Sequence, residues 1–246
     1  PASVTMIKLL VTGLDLGAAV LLVFCLQALG RPESYVLLYA WNPLVVKVFA
    51  GSGHYDSLVL ALLAGTTLAV LHRRARLASA VLGLSVLAKL APVVLFPFLV
   101  RRAGWSALIP GAVLILVGLA TIPGGLSDLS GYAAFARSWR FNGGPYLLLE
   151  SAVGPAAASY LAAVLLMLAL WWLLSRDSGT RNAFVAGGAN ALGASLLLSP
   201  VVNPWYVTWI LPFAVLTRHW FWLLFSALVC LSFLVIVDGR ERHWVL

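Results

Sequence analysis

The chain has 246 residues, of which 62% are hydrophobic and 10% charged, and its mean hydropathy is +1.00. Soluble domains carry about 25% charged residues, so this composition excludes an ordinary soluble globular protein and points to an integral membrane protein. The net charge of +8 does not describe a nucleic-acid surface, because the arginines stand in short clusters between apolar runs, where the positive-inside rule places cytoplasmic loops.

Residues 1–246 are expected to form a single membrane domain, since no linker, low-complexity tract or internal repeat divides the apolar runs. The opening "PASVTMIKLL" has neither an initiator Met nor the pattern of a signal peptide, and the domain is expected to be incomplete at its N-terminus. Cys25 and Cys230 lie within apolar runs, which suits small buried hydrophobes better than a disulfide or a metal ligand.

In chain order, apolar runs set against the length of about 20 residues that a spanning helix needs place spans at Thr5–Leu29, Tyr35–Ala50, Tyr55–Leu71 and Ser106–Ile122. Four more follow at Ala156–Leu174, Ala183–Leu198, Pro204–Leu216 and Trp220–Val237. Leu77–Val100 differs, because Arg73, Arg74 and Arg76 precede it, Arg101 and Arg102 follow it, and "LAKLAPVV" interrupts it. As one span it would put an arginine pair outside; as two half-helices meeting near Lys89 to Pro92 it keeps both clusters inside. The expected fold is therefore all-α, a polytopic bundle of about eight spans plus a broken or re-entrant hairpin. Arg31, Arg73, Arg74, Arg76, Arg101, Arg102, Arg176, Arg181 and Arg218 then fall on the cytoplasmic side. The outer face collects "GSGHYD", the loop "PGGLSDLSGYAAFARSWRFNGGPYLLLE" and "SPVVNPWY".

An ionisable residue in a span costs on the order of 2.5 to 3.5 kcal/mol on insertion scales, so each asks for a partner, a wet cavity or a role. In "GSGHYD", Asp56 follows two glycines and stands beside His54 and Tyr55. A carboxylate there can accept the proton of a sugar hydroxyl or bind two of its oxygens, and the histidine can donate to a phosphate. The structural alternative is a helix N-cap, and Asp56 can serve both ends. Lys89, three residues before Pro92, is a point charge for a lipid phosphate, or else a snorkelling lysine paired with Asp15 or Glu150.

"WNPLVVKVF" offers Trp41 as an interface anchor, Asn42 as an amide donor and Pro43 at a helix start, with Lys47 one turn beyond. "SPVVNPWYVTWILP" gathers Ser199, Asn203, Trp205, Tyr206 and Trp209 around Pro200 and Pro204, where aromatic faces could stack on a sugar or form an interfacial belt. The outer loop holds Tyr132, Arg137, Trp139, Arg140, Asn142 and Tyr146, and its arginines could clamp a phosphate or bind anionic headgroups. The acids are scattered and no soluble-enzyme motif occurs, so neither a metal nor a cofactor is expected.

Together, "WNPLVVKVFAGSGHYDSLVLALL", "RRARLASAVLGLSVLAKLAPVVLFPFLVRR" and "LSPVVNPWYVTWILPFAVL" resemble the bacterial and archaeal polyprenol-phosphate-mannose-dependent mannosyltransferases of the GT-C superfamily. "IKLLVTGLD" looks like the family's Lys…Asp helix before them. The resemblance implies a GT-C-like bundle in a prokaryotic plasma membrane. It also implies transfer of a sugar, expected to be mannose, from a polyprenyl-phosphate carrier to a glycan, lipid or protein acceptor on the outer side. Asp56 would act on the acceptor hydroxyl and Lys89 on the leaving phosphate, with Asn42, His54, Tyr55, Arg140, Asn203, Trp205 and Tyr206 binding substrate. The superfamily's usual catalytic aspartate lies after the first helix, before the point where this chain begins, so a base upstream of Pro1 and Asp56 itself both stand as the expected base. A transporter or flippase for a lipid-linked or anionic substrate, with Lys89 lining the path, is the rival expectation. A noncatalytic polyprenyl-phosphate-binding fragment is the third.

Overall fold

A computed structural model describes residues 3–121, 140–141 and 143–233. Among these the regular structure is helical, with no strand and an isolated bridge between Phe141 and Val201. The expected all-α class holds. The described chain forms two compact units, one from Pro1–Ala64 with Pro204–Leu246 and one from Gly65–Asn203.

The first unit opens with α1, Val4–Ala28, started by Ser3, whose Oγ accepts from the Met6 N–H at 3.1 Å. It ends where Gly30, at φ +64, lets the Arg31 N–H reach back to the Leu26 carbonyl. Val11, Ala18, Leu22, Cys25 and Leu26 bury one stripe of α1, while Leu9, Leu10, Leu16 and Phe24 stay exposed around it. A helix apolar on every side needs a nonaqueous environment on the faces that protein does not cover.

The expected span Tyr35–Ala50 is not one helix. A 3₁₀ turn over Glu33–Val36 leads to α2, Leu37–Ala40, then α3, Pro43–Val46, and a π-helical turn over Lys47–Gly51. Pro43 is the cause: the proline ring pushes the residue before it out of the helical region, and Asn42 lies at φ −65, ψ 123. Asn42 then caps α3, its Oδ1 accepting from the Leu44 N–H at 3.0 Å. The expected Pro204–Leu216 is likewise divided, into a 3₁₀ helix over Pro204–Ile210 and a short α-helix over Leu211–Thr217, named α11 below. The α-helix expected over Trp220–Val237, named α12, runs over Trp220–Val229.

Between these parts of the chain, α4, Asp56–Leu71, contributes its first half to the first unit and its second half to the other. The second unit continues with α5, Ala75–Ala88, and α6, Phe96–Ala103. The expected break between them is observed: Lys89 is extended at φ −153, ψ 135, and a 3₁₀ turn over Ala91–Leu95 carries Pro92. The chain then turns back, since Arg73 before α5 and Arg102 at the end of α6 line the same cavity. The two arginine clusters therefore share one end of this unit, as the hairpin requires.

The remaining helices are α7, Ile109–Ala120, α8, Pro145–Val153, α9, Pro155–Ser175, and α10, Arg181–Leu197. A Cβ at Gly83 of α5 would fall 2.7 Å from the Gly111 carbonyl oxygen, so these two helices meet backbone to backbone. The Gly111 N–H, in the first turn of α7, donates to Ser79 Oγ at 3.1 Å.

Among the described residues, α1 and α9 are long and apolar enough to cross a membrane, and only 11% of the α9 window is buried in protein. The other apolar helices have 10–17 residues. Two of the eight expected spans are thus matched by length among the described residues, and others are shorter helices, several of them divided at prolines.

Candidate functional site

The π turn sets the first residues of the site. It closes by donation from the Gly53 N–H to the Phe49 carbonyl at 2.9 Å and from the His54 N–H to the Val48 carbonyl at 3.1 Å. Gly53 is at φ +74, where a side chain is disfavoured, and a Cβ there would meet Lys8 Cγ of α1 at 3.2 Å. The loop therefore lies against the Lys8 stem.

Asp56 begins α4, at the positive end of that helix, and is 1% exposed. Its Oδ1 accepts from Trp209 Nε1 at 2.8 Å. In the 3₁₀ helix over Pro204–Ile210, side chains three apart eclipse, which lays Tyr206 on Trp209 with ring centroids 4.3 Å apart at 23°. Trp205 turns the other way and stacks on His54, 4.1 Å apart at 22°. "GHYD" and the 3₁₀ helix Pro204–Ile210 are thus tied together within the first unit by the Asp56–Trp209 hydrogen bond and the His54–Trp205 ring stack. Tyr55 is 54% exposed beside them.

The arrangement combines a buried carboxylate, an imidazole and the faces of Trp205 and Tyr206, both half-buried. Aromatic faces suit the C–H surface of a sugar, a carboxylate suits its hydroxyls, and an imidazole or a lysine suits a phosphate. In the sequence Trp209 is one aromatic among several. Its spacing of three from Tyr206 is the signal for the stack, once the turn is 3₁₀. Lys8 had a weaker signal, its place two helical turns before Asp15 in "IKLLVTGLD".

Other expected site residues have different surroundings. The Asn42 Nδ2 donates to Ser226 Oγ at 2.7 Å, tying α3 to α12, so both ends of its amide serve the fold. Lys47 lies over the Phe233 ring, 5.5 Å from its centroid. Asp15 accepts from the Tyr39 hydroxyl at 2.5 Å. In the second unit, Lys89 is half-buried at the helix break. Arg140 Nε pairs with Glu150 Oε1 at 2.8 Å and its guanidinium lies over the Tyr146 ring, so a carboxylate already neutralises it. Asp15 and Glu150, the two acids considered for Lys89, are bonded to Tyr39 and Arg140 respectively. Asn203 is half-buried just before Pro204. Tyr132, Arg137, Trp139 and Asn142 lie outside the described residues. Among the described residues no three His, Cys, Asp or Glu side chains are grouped to hold a metal.

Comparison with protein families gives two matches in chain order. Residues 2–104 match the family described as alpha-(1->6)-mannopyranosyltransferase, N-terminal domain, and residues 151–245 match the MptB C-terminal domain. No curated protein and no solved structure was found to match the chain.

Proposed function

We propose, with the two matches to mannosyltransferase families as premise, that the chain transfers mannose from a polyprenyl-phosphate carrier to a sugar hydroxyl at the outer membrane face. The observation that carries this reading is the hydrogen bond of 2.8 Å from Trp209 to Asp56, set beside the stacked His54 and Trp205. It holds a carboxylate in place next to aromatic faces that fit a pyranose ring.

The family description names an α-(1→6) mannopyranosyl linkage, so the acceptor group would be the primary 6-hydroxyl of a sugar. In a single displacement that oxygen attacks C1 of the donor mannose from the face opposite the phosphate. The C1–O bond to phosphate breaks, its electron pair leaves with the polyprenyl phosphate, and the hydroxyl proton passes to Asp56. Such a displacement inverts C1, so an α product requires a β-linked donor. Lys8, whose stem lines the Gly53 loop, and His54 would meet the charge that grows on the leaving phosphate. For Lys89 the reading is an anion-binding lysine at a helix break, and it stands within its own unit. The exposed apolar faces of α1 and α9 support placing the chemistry in a membrane.

The test is transfer of radiolabelled mannose from polyprenyl-phosphate mannose to a short mannoside by the purified full chain. Asp56→Asn is expected to lower kcat by about 10²- to 10⁴-fold with little change in KM. Lys8→Met and Lys89→Met are each expected to raise the KM for the donor. Full kcat in Asp56→Asn would overturn its role as base, and a raised acceptor KM alone would make it a sugar-binding group.

A further inference from the structure

The second unit has a feature that the transfer reaction does not use. Where the chain leaves α4, ends α6 and begins α10, a cavity of about 570 Å³ opens, lined by Arg73, Arg102, Gly179, Thr180, Arg181 and Asn182. Among the described residues no acidic side chain lines it. We propose that this cavity binds the phosphate of an anionic lipid headgroup on the arginine-rich side of the membrane.

The charges around it sort into two kinds. Arg102 is structural, because Nη1 and Nη2 fork onto the Asp177 carboxylate at 2.8 Å each, while the remaining donors serve the Phe98 and Thr180 carbonyls. That fork also neutralises Asp177. Arg181 gives Nη1 to the Leu71 carbonyl at 2.7 Å, which covers the negative end of α4 and fixes the guanidinium beside the cavity. Arg73 lies at φ +58, the left-handed position that closes a helix and that glycine normally fills. An arginine held there against its backbone preference places a guanidinium at the rim. The N-terminus of α10, capped by Thr180 Oγ1 accepting from the Ala183 N–H at 3.2 Å, adds positive potential from its dipole. Arginine forks match phosphate oxygens, and the cavity exceeds the size of a bare phosphate ion.

A membrane source follows from the other face of α6. There an apolar slot of about 460 Å³ is lined by Phe96, Trp105, Trp171 and Leu174, with Arg101 at its edge. Such walls suit an acyl chain, so the helix that carries Arg102 offers a lipid-facing side beside the arginine cavity.

The experiment is a titration of the purified full chain in detergent with phosphatidylglycerol, with phosphatidylcholine and inorganic pyrophosphate as comparisons, read by native mass spectrometry. Saturable binding of phosphatidylglycerol over phosphatidylcholine is expected, weakened on the order of tenfold in Arg73→Gly. Glycine suits that backbone position, so the variant removes the guanidinium without straining the helix end. Arg181→Lys, which keeps the charge but not the fork, is expected to weaken binding less. Arg218→Gly is the matched control, because Arg218 closes α11 at φ 54 in the first unit, and it is expected to leave binding unchanged. Pyrophosphate binding that is equally sensitive to Arg73→Gly, with no lipid preference, would overturn the lipid source and leave a soluble phosphate site. Equal binding by wild type and Arg73→Gly, equal loss in Arg218→Gly, or no binding would overturn the site.

Discussion

Trp209 is a residue whose side chain does two tasks at once: its ring supports Tyr206, and its N–H holds Asp56 across 153 positions of sequence. Trp209→Phe separates them, keeping an aromatic face while removing the donor. If Asp56 acts in transfer, this variant is expected to lose roughly tenfold in kcat/KM, the worth of one hydrogen bond of about 1.4 kcal/mol, and, because Asp56 is buried, to lose about 1–3 kcal/mol of stability as well. Unchanged kinetics in the mannose-transfer assay would remove Trp209 from the site. Asn42 contrasts with it. The sequence offers Asn42 as an amide donor, but its cap on α3 and its bond to Ser226 use both ends of its amide. Residue type told which side chains could bind a sugar; their partners decided which ones are turned to other work.

At the scale of elements, local chemistry was legible where proline or charge broke a pattern. Lys89 and Pro92 marked the break between α5 and α6, and the chain does become extended there. In Tyr35–Ala50, Pro43 reads as a helix start and does begin α3, but hydropathy is continuous across it and cannot tell one helix from four short elements. Nor did the sequence announce the contact of α5 with α7, since glycine is common in apolar helices. That contact is sterically demanding. Gly83→Val would drive its branched side chain into the Gly111 backbone, and a loss of about 1–3 kcal/mol or more is expected, read as a lower melting temperature by circular dichroism in detergent. Ser79→Ala, which removes the acceptor for the Gly111 N–H, is expected to cost about 1 kcal/mol. A Gly83→Val protein as stable as the wild type would mean that the two helices do not approach this closely.

For the whole molecule, α4 offers a test of orientation within a single element. Its 16 residues rise roughly 24 Å, with Tyr55 before one end and Arg73 just beyond the other. In a chain with Cys25 and Cys230 replaced by Ala, Tyr55→Cys is expected to react with an impermeant maleimide from outside intact cells. Arg73→Cys and Arg181→Cys are expected to react only after permeabilisation. Labelling of Tyr55→Cys and Arg73→Cys from the same side would refute α4 as a span and the outward site with it. What the sequence by itself determined is what neighbouring residues decide together: an apolar helical chain, arginine clusters at its turns, and a break at Lys89. Each follows from local hydropathy, local charge or the proline ring. Only the tertiary structure decided that the Asp56 carboxylate meets Trp209, that His54 lies on Trp205, and that Arg73 and Arg181 share a cavity. Those meetings depend on where helices bend and which 3₁₀ and π turns replace them, and no local pattern encodes the partner of a side chain half a protein away.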